Sequence, residues 1–461
     1  MLKTFFHKLS DLYYAVAETL VFKFLVFRWS FFQAPALNRN RPAKPRLLFG
    51  TMPIINNKFW AQAMREAGYE AKSVTVYGHF ESISDKQDFD VYLNEIFPEK
   101  KGRIAEIKRR FRMMHYVARE FDVLTISCIG AVLGDSSYLH QDTHIEKYAN
   151  REAFLLKRAG CKIVVIPFGG DFYRYSEINN LSIRHAFQVN YPALALRERK
   201  VRDRVQYWVE QADVFFSGFQ IDGIGRWDLL PFNMIITDTE RWRPRGSYSA
   251  HDGISGPVVV VHTPNHRGVK GTEFLVKAVE ELKEEGILID FRLIEKMKNT
   301  EVHRILTTEA DILVEQLIGG AYGMSGVEGM SCGLAVMTNL EVEDYSRIFR
   351  RYSYLNECPI VSVTPESIKE RLRILILNPA LREELGQAAR KYAEKYHAHR
   401  TAQYMFGKIC ERAWAKKEVN LIDMFHPLSP ESYNNSLPVV EHPLLENQLP
   451  GALMNKLRRS V

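Results

Sequence analysis

Residues 258–271 read VVVVHTPNHRGVKG and residues 319–339 read GGAYGMSGVEGMSCGLAVMTN. The first stretch is an apolar strand that ends in a turn carrying Arg267 and Lys270. The second is a glycine-spaced loop feeding a helix N-terminus, with Glu328 about one turn inside it. The first amides of a helix lack partners and sit at the positive end of its dipole, so a helix start attracts phosphate. Two cations, unpartnered amides and one carboxylate suit a ligand with a diphosphate at one end and ribose hydroxyls at the other.

Working outward, Phe274, Leu275, Ala278, Val279 and Leu282 share one face, which predicts an amphipathic helix over Thr272–Glu284. IDFRLIEKMKN (289–299) reads as a strand leaving through a loop that holds Glu295 and Lys296. ADILVEQL (310–317) and CPIVSV (358–363) read as further strands, and TPES opens the next helix. Nearer the N-terminus, RLLFG ends in a strand exit at Gly50. An apolar helix face follows (Phe59, Trp60, Ala63, Met64, Ala67), then the strand AKSVTVYG. FDVLTISCIG and CKIVVIPFGGD are two more strands. Strand, loop, helix and strand in this order predict doubly wound α/β domains. Gly50 fits either a close backbone approach to a substrate or a tight turn out of the strand.

The ordered set from Val258 to Asn339 resembles the donor-binding half of GT-B glycosyltransferases, most closely glycosyltransferase family four and its relatives. The resemblance implies two Rossmann-like doubly wound domains facing a central cleft. It also implies that Arg267 and Lys270 grip a donor diphosphate. Glu328 matches the second acid of the family's E-x7-E pattern; the first position is Gly320, with Glu315 the nearest carboxylate before it. Donor binding therefore falls to Glu328, Glu315, Gly323, Met324, Ser325, Gly326 and Gly50, and catalysis to Arg267, Lys270 and Asp171. The family often shows H-G-x-D after the strand that ends here in Phe168-Gly169-Gly170-Asp171. The histidine is absent, and Asp171 is expected either to contact a sugar hydroxyl or acceptor or to cap a loop. The implied activity is metal-independent, retaining hexosyl transfer from a nucleotide-diphosphate sugar, with no cofactor. The acceptor would be a glycan or a lipid-linked glycan in surface polysaccharide or glycolipid synthesis. One other reading is a catalytically inactive GT-B scaffold that partners another glycosyltransferase; a third is a non-transferase GT-B enzyme such as a sugar epimerase.

Composition agrees with such an enzyme. The chain has 461 residues, 46% hydrophobic, with a net charge of +7, which suits an anionic partner. No basic–aromatic or zinc-finger pattern points to nucleic acid. Cys128, Cys161, Cys332, Cys358 and Cys410 are scattered and form no C-x-x-C pair, so buried thiols in a reducing cytoplasm are expected. His140, Asp142 and His144 could offer metal ligands, but no third ligand pattern accompanies them. His262 and His266 flank the Arg267 turn, in reach of phosphate or as structural groups.

Residues 1–33 place Leu9, Leu12, Tyr13, Val16, Leu20, Phe24 and Phe27 at helical spacing, broken by Lys3, Lys8, Asp11, Glu18, Lys23 and Arg28. These charges exclude a run of about 18 apolar residues able to span a bilayer. An amphipathic helix on the inner face of an anionic membrane is expected, the other reading being a helix packed on the protein itself or on a second copy. The basic run 102–120 (Arg103, Lys108, Arg109, Arg110, Arg112) reads as a solvated face or as a contact to anionic lipid. The expected organisation is a membrane-interface helix at 1–34, an acceptor domain at 35–245 and a nucleotide-sugar domain at 256–400. A closing helix at 401–417 should pack back on the first domain, followed by a tail at 418–461 that is either an extended arm or partly ordered.

Overall fold

The computed structural model describes residues 2–458 apart from 40, 77–86, 135–145, 218–224, 227, 231–233, 342, 427, 431 and 434–436. His140, Asp142 and His144 lie outside the described residues. The chain forms two compact α/β units. The first comprises Met1–Phe172, Lys200–Phe216 and Ile409–Val419; the second comprises Tyr173–Arg199, Ser217–Lys408 and Asn420–Val461. After Phe216 the chain runs in the second unit except for Ile409–Val419.

Six parallel strands build the first unit: β1 (Leu47–Thr51), β2 (Ala71–Thr75), β3 (Val91–Tyr92), β4 (Val123–Ile126), β5 (Lys162–Val165) and β6 (Val214–Phe215). Their order is β3-β2-β1-β4-β5-β6, with Leu47 in register with both Ala71 and Val123. Every residue of β1 is buried, as a parallel strand covered on both faces requires. Helix Asn56–Glu66 buries Phe59, Trp60, Ala63 and Met64. The linker before β1 is pinned by charge: Arg41 Nη1 and Arg46 Nε reach the fully buried Asp122 at 2.5 and 2.9 Å.

The basic run forms helix Arg103–Glu120, and only part of it is a solvated face. Arg109 and Arg110 are buried and share Glu106, while Arg110 Nη1 also donates to the Val132 carbonyl at 2.8 Å. A neutralising carboxylate one turn earlier is what lets both guanidinium groups turn inward. Arg103, Lys108, Arg112 and Arg119 stay exposed.

The second unit carries β7 (Val258–His262), β8 (Ile289–Leu293), β9 (Ile312–Val314), β10 (Ala335–Thr338) and β11 (Val361–Ser362), all parallel, in the order β11-β10-β9-β7-β8. Helix Thr272–Glu284 follows β7 as its periodicity predicts. Two features add to the sequence reading. Tyr173–Arg199 lies in sequence between β5 and β6, yet its Tyr175, Ile178, Ile183 and Phe187 pack with Val269 of the second unit. Of the two readings of the tail, the extended arm is the one that does not hold over its whole length. Leu444 and Leu449 enter the core around β7 and β9, and Asn447 bonds the edge strand β11, accepting from Ser362 N at 2.9 Å. Single anchors of this kind leave no periodic stripe to read, and they cover an edge that would otherwise present unpaired backbone.

Candidate functional site

In the second sheet the order reverses between β7 and β9, so the carboxyl ends of these two strands form the switch point where doubly wound folds bind ligands. His262 closes β7. It is buried, with Nδ1 at 2.7 Å from the Val314 carbonyl and Nε2 at 2.9 Å from Thr272 Oγ1. Burial, with help from the nearby Lys270 and Arg267 charges, pushes its pKa down to about 4. It is a neutral brace between β7, β9 and the helix after them. His266 instead meets the Tyr191 ring edge-on at 5.1 Å.

The turn Arg267–Lys270 is a single helical turn ended by Gly271 at φ +71°, a left-handed conformation that suits glycine. A Cβ there would also lie 2.9 Å from Leu317 Cβ. On its other side the turn rests on the Tyr173–Arg199 segment, where a Cβ at Gly268 would collide with the Asn190 side chain at 2.4 Å. Sequence reasoning assigned this segment no role at the turn, since nothing local couples it to residues so far along the chain.

Lys270 Nζ donates to Gln316 Oε1 at 2.8 Å and to Glu315 Oε1 at 3.3 Å. Gln316 in turn donates from Nε2 to the carbonyls of Gly320 (3.1 Å) and Ala321 (2.6 Å), holding the glycine loop. Glu315 Oε1 accepts the Gly323 amide at 2.7 Å. Its other oxygen, Oε2, is buried and accepts no hydrogen bond among the described residues. The carboxylate thus sits beneath the start of helix Met324–Ser331. Among the described residues, no side chain accepts from the amides of Met324, Ser325 and Gly326. Small residues are required here by contact. A Cβ on Gly326 would stand 2.4 Å from Glu315 Oε2, and one on Gly329 would stand 2.5 Å from Leu313 Cδ2. Gly326→Ala is expected to destabilise the unit by about 1–3 kcal/mol in urea denaturation and to weaken nucleotide binding. Gly407→Ala, inside helix His399–Ala413 with nothing within 4 Å, should instead raise stability by up to about 1 kcal/mol and leave nucleotide binding unchanged.

Glu328 is buried. Burial pushes its pKa up to about 8; Arg241 opposes the rise and Glu315 adds to it. Lys270, Glu315, Gly323 and Gly326 are therefore brought together, with Glu328 on the helix that follows. Arg267 is turned differently: its half-exposed guanidinium bonds Glu273 at 2.8 Å and Glu295 at 3.0 Å. Exposed pairs of this kind are worth about 0–1 kcal/mol, so an arriving phosphate could exchange for them at little cost.

Gly50 and Asp171 belong to the first unit. A Cβ on Gly50 would lie 2.0 Å from the Val74 carbonyl oxygen, so the approach of β1 to β2 already demands glycine there. Asp171, expected to contact a sugar hydroxyl or acceptor or to cap a loop, is buried with both oxygens in use. Oδ2 accepts Cys128 N at 2.9 Å and Oδ1 accepts Phe168 N at 2.6 Å, tying the exits of β4 and β5. Burial pushes its pKa up to about 6, against the pull of Arg204 and these amides. Asp171→Ala would strand two buried amides, and urea denaturation should show a loss of about 2–4 kcal/mol.

Among the described residues, no group of three or more His, Cys, Asp or Glu side chains is arranged to hold a metal ion.

No family model matches the chain, and no curated protein does. Solved structures of similar architecture include glycosyltransferases and a UDP-GlcNAc 2-epimerase from Methanocaldococcus jannaschii, the latter at 9% identity and TM-score 0.34 over 74% of this chain and 97% of its own. An α-glucosyltransferase in complex with UDP and a 13-mer DNA aligns at 13% identity and TM-score 0.48, over 79% of this chain and 99% of its own. The wall teichoic acid polymerase TagF aligns at 11% identity and TM-score 0.38, over 91% of this chain and 99% of its own. The glycosyltransferase SnogD from Streptomyces nogalater aligns at 13% identity and TM-score 0.34, over 79% and 99%.

Proposed function

We propose that the protein is a retaining glycosyltransferase that moves a hexosyl group from a nucleotide-diphosphate donor to a glycan or lipid-linked acceptor. Surface polysaccharide or glycolipid synthesis, at the inner face of a membrane, is the setting this reading favours. One observation carries the donor part: a lysine, a buried carboxylate and a helix start with unaccepted amides converge at the switch point of the second sheet.

The chemistry follows from charge. As the glycosidic bond breaks, negative charge grows on the leaving diphosphate. Lys270 and the amides of Met324, Ser325 and Gly326 stabilise it, and Arg267 joins them by exchanging its exposed carboxylate partners for phosphate oxygens. These groups act as the electrophilic clamp without requiring a metal. Glu328 accepts the ribose hydroxyls. Glu315, whose Oε2 lacks a partner among the described residues, occupies the acidic role that Gly320 leaves vacant and faces the sugar end of the donor. The retaining outcome rests on the resemblance of the Arg267–Lys270 turn and the Glu328 helix to family four.

Thermal shift against UDP-, GDP- and ADP-sugars tests the donor. A ligand at about 100 times its dissociation constant should stabilise by ~2.7 kcal/mol. Sugar transfer to a membrane extract should follow with the same nucleotide. Stabilisation without hydrolysis or transfer would favour the inactive scaffold, to which Gly320 and the internally paired Lys270 lend support. No shift with any of the three nucleotides would overturn the assignment.

A further inference from the structure

We propose that helix Leu2–Arg28 and the π turn after it seat the first unit on an anionic lipid bilayer, lying in the plane of the interface through one aromatic stripe. The idea rests on the membrane-side part of the reading above and specifies the surface that makes the contact. Val16, Leu20, Phe24, Phe27 and Phe31 are 52, 62, 62, 52 and 61% exposed. At 3.6 residues per turn these positions fall within an arc of about 80°.

The opposite face is already occupied. Glu18, Phe22 and Trp29 are buried there. Trp29 Nε1 donates to the Leu155 carbonyl at 2.8 Å, and the Phe22 ring stacks on Tyr148 at 3.8 Å. Arg158 Nε donates to the Ser30 carbonyl at 2.7 Å. Packing on the protein's own body therefore accounts for one face and leaves the stripe bare. No helix among the described residues is long and apolar enough to cross a membrane, which leaves contact along the surface.

Charge selects the occupant. Between Tyr14 and Asn38 the sole acidic residue is Glu18, and it is buried. Lys23 and Arg28 are exposed beside the stripe. The helix packs on Arg103–Glu120, which presents Lys108, Arg112 and Arg119 to solvent, and both Arg28 and Arg119 act on His115 next to Trp29. An apolar stripe rimmed by cations fits acyl chains below phosphate headgroups. A second copy docked by the same patch would bring cations against cations.

The test is vesicle co-sedimentation of the full chain without nucleotide. The parent should bind vesicles of phosphatidylcholine mixed with phosphatidylglycerol at least tenfold more tightly than vesicles of phosphatidylcholine alone, since each nearby cation adds about fivefold. Raised salt should erode the difference. The variant Leu20→Ser/Phe24→Ser/Phe27→Ser should lose binding by tenfold or more while keeping the parent's nucleotide-induced thermal shift. Ile254→Ser, an exposed apolar site in the second unit, should bind like the parent. Equal vesicle binding by triple variant and parent would overturn the proposal, as would a parent dimer in sedimentation equilibrium that the triple variant abolishes. Either result leaves the donor assignment intact, because that assignment is read from the thermal shift alone.

Discussion

Lys270→Ala is expected to lower kcat/KM for sugar transfer by about 10²–10³-fold, the usual effect of removing one group that stabilises charge developing in a transition state. The expectation follows from where the ammonium stands. It is largely shielded from solvent and held between Gln316 Oε1 and Glu315 Oε1, so its position is set before any ligand arrives. The same substitution has a second consequence. It strands the buried Glu315 carboxylate, which among the described residues keeps the Gly323 amide on one oxygen and no donor on the other. Breaking a buried pair from one side costs about 3–5 kcal/mol, so stability should fall together with activity. The two losses separate in a double variant. Lys270→Ala/Glu315→Gln removes both charges and should recover much of the stability in urea denaturation, while transfer stays low. If the double variant regained transfer, Lys270 would matter only as the partner of Glu315. Full activity in Lys270→Ala itself would remove the lysine from the reaction.

That double role shows what the sequence reveals and what it withholds. A strand of four valines, a turn with two cations and a periodic helix over Thr272–Glu284 are local facts, and the structure places each within a residue or so of its reading. The glycine spacing likewise signals a helix start, which falls at Met324. Yet the reason for Gly326 lies in an oxygen of Glu315, which approaches only after β9 is paired between β7 and β10. Gln316 carries no motif, although it positions Lys270 and the loop together. Arg109 and Arg110 mislead for a similar reason. Composition alone cannot tell a solvated cation from one matched by Glu106 inside a fold. Asp171 sits in a loop that looks reactive because it is glycine-rich and acidic, but two amides claim its carboxylate first. Periodicity reports faces; it does not report which single side chain meets which distant one.

Glu328 is expected to make the protein less stable as pH rises from about 4.5, its ordinary value, to about 8, its value in the fold. Across that window the folded chain keeps a proton that the unfolded chain has released. The folded state therefore binds more protons, and stability declines with pH until both states are ionised. Replacing Glu328 with glutamine removes this term. The stability of the variant relative to the parent should climb across the window, by an amount on the order of a few kcal/mol, and level off above about pH 8. A bound nucleotide should pull in the other direction. Ribose hydroxyls donate to an ionised carboxylate, so binding favours loss of the proton and affinity should rise with pH up to about 8. Calorimetry near neutral pH in buffers of different ionisation enthalpy should then detect close to one proton released per nucleotide by the parent and none by Glu328→Gln. The charges that act on this group, Arg241 and Glu315, belong to the same unit, so the effect should not depend on the membrane-facing helix. A parent that binds nucleotide with no proton release, or with affinity falling as pH rises, would show that Glu328 stays neutral and does not hold the ribose.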